Sequence, residues 1–369
     1  MGFDYFTTIQ LASELNRILF GAVISGASFR DKDLKLKIDQ RGLICFQCKP
    51  NGLVLYNPND TKSLTSPSKE DPVRYFIGAR FIDIVMSGRD RTISFSLERF
   101  NQKRNETTRG VLVCEMMNRR IDCALISQKS QLVLGGWGKE ERIVVGNSYI
   151  PPAKDPRIVI GFDSVNPIDV LENLPEENYL RLIRSTFSGI DSSIIREVLY
   201  RCNLKEDDVV NPRGVKIFWE KAIEIFKSIG SLGGYIYEDA GKLQFTAICP
   251  FRLPSSIKVD QRDSLTDSLV EYYDREKILR KYESKKKEIN QTIKRALNSL
   301  IRKRVTLRNE LMETECAQEI ERKGHTLLAH LGHVSNNVKS VSLVDVFEDN
   351  SEVIVQFKFG NNETPAEHA

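Results

Sequence analysis

The sequence predicts an α+β protein in four parts: an N-terminal, mostly antiparallel β domain with a capping helix, a helix-hairpin-helix domain, a long coiled-coil arm and a small β tip. Three observations carry this. Residues 22 to about 150 break into short alternating runs separated by turn residues, the period-2 pattern of half-buried strands. Residues 166–204 switch to helical spacing interrupted by a glycine. From about 268 to 323, apolar residues recur in steps of three, four or seven within a basic background, the stripe of a long helix. The expected boundaries are 1–155, 156–265, 266–333 and 334–369.

TTIQLASELNRILF (7–20) puts Ile9, Leu11, Leu15, Ile18 and Leu19 at helical spacing, with Thr7 or Thr8 as N-cap and Gly21 as the stop. DLKLKI, LVLYNP, TISFSL, GVLVCEM and CALISQ then read as strands of a meander or barrel-like sheet. NSYIPPAKDP ends that unit, because consecutive prolines disfavour both helix and sheet. NPIDVLENL, YLRLIRST and SSIIREVLYRCNL are helical in pattern, and FSGID joins the last two. With Gly189 in the turn and Asp191 as cap, this element either points N–H groups at a phosphate or is an ordinary helical hairpin. WEKAIEIFKSIG is a further amphipathic helix, and GGYIYEDAGKLQFTAICPF a hairpin turning at Asp239-Ala240-Gly241.

The arm carries Leu279, Tyr282, Ile289, Ile293, Ala296, Leu300, Leu307 and Leu311 along one seam, which Lys286 and Lys303 interrupt. One helix cannot bury such a seam alone, so an antiparallel partner or another chain is expected, including a homodimer through this stripe. After ERKGHTLLAHLGH, the runs SVSLVDV and EVIVQFKF read as strands.

The net charge is only +4, but residues 275–308 hold thirteen Lys and Arg against three Glu. A segment that basic attracts a polyanion or is a solvated helix face. Seven scattered cysteines form no framework, which suits a reducing compartment, and the Cys45–Cys48 CxxC has no second pair to complete a metal site. His325, His330 and His333 lack the spacing of a helix-face metal pair, and His368 stands apart. No phosphate-binding glycine loop, zinc-protease motif or serine nucleophile elbow occurs. The expectation is therefore a binding module without catalytic residues, metal or cofactor. A secretory signal and an apolar run of the ~20 residues that span a bilayer are both lacking, so a cytoplasmic location with no membrane partner is expected.

SGRDRTISFS (87–96) joins two predicted strands through Gly88, Arg89, Asp90 and Arg91. Gly and Asp suit a turn, whereas adjacent Asp and Arg on a rigid hairpin offer an acceptor and a phosphate-binding fork. Arg119 and Arg120 lie in the next hairpin, MNRRID, where they could converge with the first pair.

In order and spacing these motifs resemble the NFACT family of ribosome-associated quality control, which includes NEMF, RqcH and proteins labelled fibronectin-binding homologues. MGFDYFTTIQLASELNRILFGAVISGASF is similar to the family's opening helix and strand, and SGRDRTISFS to its Asp-Arg dyad before a strand. VCEMMNRRIDCALIS resembles its Glu-x-Met-Gly-Arg-His-Ser-Asn stretch, and NSYIPP its Tyr-x-Pro-Pro close. FSGIDSSIIREVLYRCNL resembles its helix-hairpin-helix, while YYDREKILRKYESKKKEI and ERKGHTLLAHLGHV resemble the outgoing arm and its tip.

The resemblance implies a glycosylase-like first domain and a factor that binds the large ribosomal subunit carrying stalled peptidyl-tRNA. It also implies recruitment of tRNA for C-terminal tailing without mRNA. By match, Asp90 and Arg91 handle tRNA, with Arg119 and Arg120 beside them. Arg280, Lys281, Lys285, Lys286, Lys287, Lys294, Arg295, Arg302, Lys303 and Arg304 would contact rRNA. The sequence departs from the family in Asn118-Arg119-Arg120-Ile121-Asp122, where only Arg119 matches, and in a shortened helix before residue 78. It stops where the family's returning helix begins, so a piece of a longer protein or a paralogue that binds without tailing is expected. Glycosylase chemistry needs an N-terminal Pro, and here Gly2 and Phe3 follow Met1. The alternative from another class is a surface adhesin that binds fibronectin.

Overall fold

The computed structural model describes residues 3–39, 41–49, 51–59, 64, 67, 71–86, 91–102, 105–117, 120–138, 141–153, 157–159, 178–229, 233–239, 241–335, 338–348 and 351–356. They fall into two compact units, Met1–Leu279 and Arg280–Ala369.

The first unit opens with helix α1 (Tyr5–Leu19), capped by Asp4 rather than by Thr7 or Thr8. The Asp4 carboxylate accepts the Thr7 N–H at 2.8 Å. The helix starts early because the N–H of Tyr5 donates to the carbonyl of Gly189 at 2.8 Å and both Tyr5 and Phe6 are buried. Gly21 ends it as expected, at φ 74, a conformation open to glycine and costly for most other residues.

The expected meander resolves into two antiparallel sheets. One contains β1 (Ile24–Arg30), β2 (Asp33–Ile38), β3 (Gly42–Gln47) and β4 (Val54–Asn57) in chain order. The other contains β5 (Arg80–Met86), β6 (Thr92–Asn101), β7 (Glu106–Met117), β8 (Arg120–Ser127) and β9 (Val133–Trp137), also in chain order. Leu11, Leu15 and Leu19 of α1 share one core with Leu36, Ile44 and Phe46 of the first sheet and Phe81, Phe95 and Leu112 of the second. Cys45, Cys48, Cys114 and Cys123 are free thiols buried in this core. Burial pushes Cys45 up to about 12 and raises Cys114 and Cys123 as well, so these thiols stay protonated.

The helical part packs around a second core. β10 (Ile158–Val159) pairs in parallel with β11 (Phe187–Ser188), and α2 (Tyr179–Thr186), α3 (Ser192–Arg201) and α4 (Pro212–Ser228) bury Tyr179, Ile183, Ile195 and Phe218 together with Phe6 of α1. NPIDVLENL lies outside the described residues. Between α2 and α3, Gly189 has φ 80, and a Cβ there would lie 2.9 Å from Cβ of Tyr5. The turn is thus shaped to fit α1. The Ser193 and Ile194 N–H groups that could have met a phosphate already donate to Asp191, at 2.9 and 3.0 Å.

β12 (Gly234–Asp239) and β13 (Lys242–Thr246) form the expected hairpin, with Asp239 opposite Lys242. A third strand, β14 (Val259–Arg262), pairs with the other side of β12. Its four residues, VDQR, carry no alternation by which sequence could reveal it.

Helix α5 (Leu265–Ala329) has 65 residues, a length of about 98 Å at the usual rise per residue. It starts before and ends after the periodic stretch. In the first unit Leu265, Leu269 and Tyr272 enter the main core, and Arg275 pairs with Asp260 at 2.7 Å. The start of α5 is capped from elsewhere in the sequence. Glu14 of α1, itself buried, accepts the Leu265 N–H at 2.9 Å and the Thr266 N–H at 3.0 Å.

In the second unit α5 is exposed until its last turns, where Leu327 packs against Leu343 and Val355. Those two residues belong to the hairpin β15 (Ser340–Val344) and β16 (Glu352–Gln356). Arg322 holds the loop of this hairpin through Asp345 and through Glu348 at 2.7 Å. Among the described residues no helix is long and apolar enough to cross a membrane.

Candidate nucleic-acid interface

Two sets of residues were expected to meet nucleic acid: the hairpin ends of the second sheet and the cations of α5. β5 and β6 pair with Met86 opposite Ile93, and β7 and β8 with Met117 opposite Arg120. The joins 87–90 and 118–119, with Asp90 and Arg119, lie outside the described residues. Thr92 is opposite Glu115, which is opposite Asp122, so Arg91 and Arg120 lie at the same end of the sheet.

Arg91 and Arg120 nevertheless serve opposite faces. The carbonyl of Arg91 accepts the Met116 N–H at 2.8 Å, which puts Arg91 in the row of Met116 and Ile121, two residues of the main core. Its Nη1 donates to the carbonyl of Phe3 at 3.2 Å. Arg120 belongs to the alternate row and pairs through Nε with Asp122 at 2.8 Å. The described pair does not converge, because strand alternation sends residues of opposite parity to opposite faces.

Arg91 lies beside Asp4, whose carboxyl is pushed up to about 7, first by burial and then by the charge of Asp191. Hydrogen bonds from Thr7 and the charge of Arg91 oppose that rise without cancelling it. A carboxyl with a raised folded value costs no stability while both states are protonated. Its cost grows as pH rises from the ordinary value of 3.8 towards about 7. Thermal unfolding should therefore show stability falling by about 1 kcal/mol per pH unit across that window. Asp4→Asn, which keeps a capping oxygen, should flatten the fall; an unchanged profile would remove Asp4 as its source.

Around Arg120 lies a polar cluster that sequence reasoning missed. Glu115 and Asp122 are buried, and both Arg142 and the Tyr149 hydroxyl donate to Glu115. Burial opposes the charge on Arg142, but the bond and charge of Glu115 outweigh it and raise the guanidinium further. Burial, then Glu115, likewise raise the Tyr149 hydroxyl. Next to Glu115 in the row, the buried Thr92 hydroxyl has no partner among the described residues. Two carboxylates facing each other in apolar strands, VLVCEMM and RIDCALI, were the available signal. Arg142 and Tyr149 come from a later segment and gave none.

All ten predicted cations of α5 are exposed. Lys285 pairs with Glu288 at 2.9 Å and Lys286 with Glu283 at 3.9 Å. Lys281, Lys287, Lys294, Arg295, Arg302, Lys303 and Arg304 have no carboxylate partner among the described residues. At 3.6 residues per turn, Tyr282, Ile289, Ile293, Leu300, Leu307 and Leu311 share one face. Lys285, Lys286, Lys303 and Arg304 border that face rather than interrupt it, and Arg280, Lys287, Lys294, Arg295 and Arg302 lie on the far side. The helix presents a long cationic surface and, apart from it, an apolar stripe in which Ile289 is 57% and Leu300 65% exposed.

Comparison with known proteins gives a consistent family. Among solved structures, the fibrinogen binding protein from Staphylococcus aureus matches with a TM-score of 0.60 at 17% identity, covering 74% of this chain and 100% of that one. The N-terminal part of the fibronectin/fibrinogen-binding protein from Streptococcus suis matches with a TM-score of 0.56 at 16% identity, covering 74% and 99%. At these identities the likeness is one of fold. No curated protein matches the chain. The family described as NFACT N-terminal and middle domains matches residues 4–369. That match spans both units, the hairpin motifs and the basic arm, and the chain belongs to the NFACT family.

Proposed function

We propose that this chain is a ribosome-associated quality-control factor. It would bind the large ribosomal subunit with stalled peptidyl-tRNA and recruit tRNA for C-terminal tailing without mRNA. The observation that most supports this reading is the far side of α5, where Lys287, Lys294, Arg295 and Arg302, without carboxylate partners among the described residues, follow one another along several turns. Such an array suits an extended phosphate backbone better than a compact ligand, because each Lys or Arg that meets a phosphate releases condensed counterions. In this reading α5 lies along rRNA, while Asp90, Arg91, Arg119 and Arg120 handle tRNA. The protein positions RNA and supplies no covalent catalysis of its own.

Sedimentation with purified ribosomal subunits across a salt series tests this directly. Co-migration with the large subunit that weakens steeply between about 50 and 200 mM salt is expected. No co-migration at low salt would overturn the ribosome reading. An Asp90→Ala/Arg91→Ala variant that keeps the subunit but loses tRNA would assign the hairpin end its role; retention of tRNA would remove it. The apolar stripe fits a second helix, and a second copy of this chain is one such partner. Light scattering at rising concentration should then show a dimer that Ile293→Lys abolishes.

The two structural relatives are named for binding fibrinogen and fibronectin, which supports a second reading, an adhesin for either protein. Saturable binding to immobilised fibronectin, with no subunit co-migration, would favour it.

A further inference from the structure

The second sheet has another end, away from Arg91 and Arg120, that neither the ribosome nor the tRNA reading uses. There β6 and β7 run on together as a two-stranded ribbon, with Glu98 opposite Arg109, Arg99 opposite Thr108 and Phe100 opposite Thr107. β8 pairs with β7 only from Gly110 onward, so the ribbon projects beyond the sheet. Residues 98–109 hold four Lys or Arg against two Glu. Glu98 is already paired with Arg109 at 2.9 Å.

A cleft flanks each side of this ribbon. The first, about 300 Å³, has an apolar floor of Leu97, Leu125 and Leu134, a wall from Tyr75 and a rim of Arg99 and Arg109. Gly110 also lines it. The second, about 800 Å³, is bounded by Phe100, Arg80, Arg99 and Asn101. Both volumes lie in the range of small-ligand sites. Each cleft thus presents one large aromatic ring with an arginine beside it, and Arg99 serves both.

These rings are costly to leave in water. Phe100, on an otherwise polar ribbon, is 57% exposed, and Tyr75, in the short 3-10 turn Pro72–Phe76, is 54% exposed. The arginines are available as well. Arg99 Nη1 lies 3.5 Å from the carbonyl of Arg74, a weak contact, and neither Arg80 nor Arg99 has a carboxylate partner among the described residues. Rigid aromatic faces interleaved with free guanidinium groups match a planar base followed by a phosphate. A duplex would offer the phosphates and keep its bases stacked inside.

We infer that the clefts on either side of the β6–β7 ribbon bind unpaired nucleotides of single-stranded RNA, with bases against Tyr75 and Phe100 and phosphates at Arg80 and Arg99. The choice of RNA rests on the proposed ribosomal role; the clefts themselves do not depend on it. This surface is distinct from α5 and from the hairpin end, and would let the protein hold an exposed strand while its arm lies on structured RNA.

The test is fluorescence anisotropy of the full chain with a labelled single-stranded oligoribonucleotide of about ten nucleotides and with a fully paired RNA hairpin. Tyr75→Ala and Phe100→Ala, both at exposed positions, should each weaken single-strand binding roughly tenfold and leave duplex binding within about twofold. Arg99→Ala should lower the slope of log affinity against log salt for the single strand by about 0.7. Repeating the series in a variant with α5 cations replaced separates this site from the arm. If α5 variants abolish ribosome binding while the aromatic variants still act on the single strand, the two readings stand apart. Unchanged single-strand affinity in both aromatic variants would overturn the inference. Equal losses for single strand and duplex would reduce the ribbon to a charged patch and also overturn it. Displacement of the oligonucleotide by a Glu-rich decapeptide at equal concentration would assign the clefts to an acidic protein instead.

Discussion

Glu14→Ala is expected to lower the stability of the first unit by about 4 kcal/mol, because two charge-assisted bonds to the start of α5 are lost and their buried donors are left unpaired. For a unit of this size that corresponds to a fall in Tm of roughly 10 °C. Glu14 is 2% exposed, accepts the N–H groups of Leu265 and Thr266, and also accepts Gln10 Nε2 at 2.7 Å. Leu265 is fully buried, so water cannot easily replace the carboxylate there. Glu14→Gln retains one acceptor oxygen and should cost about half as much. Differential scanning calorimetry of the three proteins decides it. A fall of less than about 2 °C for Glu14→Ala would mean that the Ser264 hydroxyl, which accepts the Asp267 N–H at 3.0 Å, is a sufficient cap by itself.

The second large effect concerns the arm. Replacing Lys287, Lys294, Arg295 and Arg302 together by Ala should lower RNA affinity by roughly a hundredfold near 0.2 M salt and reduce the salt slope by about three. These four lie on the side of α5 away from the apolar stripe and have no carboxylate partner among the described residues. Alanine is the best helix former, so circular dichroism should show no loss of helix. Binding to purified large-subunit rRNA, measured by filter retention from about 50 to about 400 mM salt, is the readout. A slope that does not change would place the RNA on another surface and turn the basic face into a solubility device.

The order of elements was legible because their periods differ: alternation over 22–150, helical spacing after it, and a long seam in the arm. DLKLKI announced itself as a strand through side chains that alternate with the pleat, whereas the strand that holds CALIS is buried along its length and reads as an apolar run. The hairpin at Asp239–Lys242 was legible from its turn residues. β14 was not, since four mixed residues carry no period and only pairing with β12 makes them a strand.

The candidate site was legible in part. Its cations could be counted along α5, and SGRD and MNRRID stood out as charged joins between apolar runs. Register alone brought Arg91 and Arg120 to one end of the sheet, and parity alone sent Arg91 to Phe3 and Arg120 to Asp122. The Glu115 cluster draws on three separate segments, and no local pattern links Glu115 to Arg142 and Tyr149.

The sequence by itself determined the class of fold, the basic arm with its apolar stripe, and the charged turns, because periodicity and charge are properties of neighbouring residues. Only the tertiary structure decided where helices begin, which face each arginine serves, and that the β6–β7 ribbon stands out with a cleft on either side. Asp4 caps α1 because Gly189 receives Tyr5, and Glu14 caps α5 across most of the first unit. A hydrogen-bond partner or a cleft wall is chosen by proximity in space, and proximity between residues far apart in the chain exists only once the cores have formed.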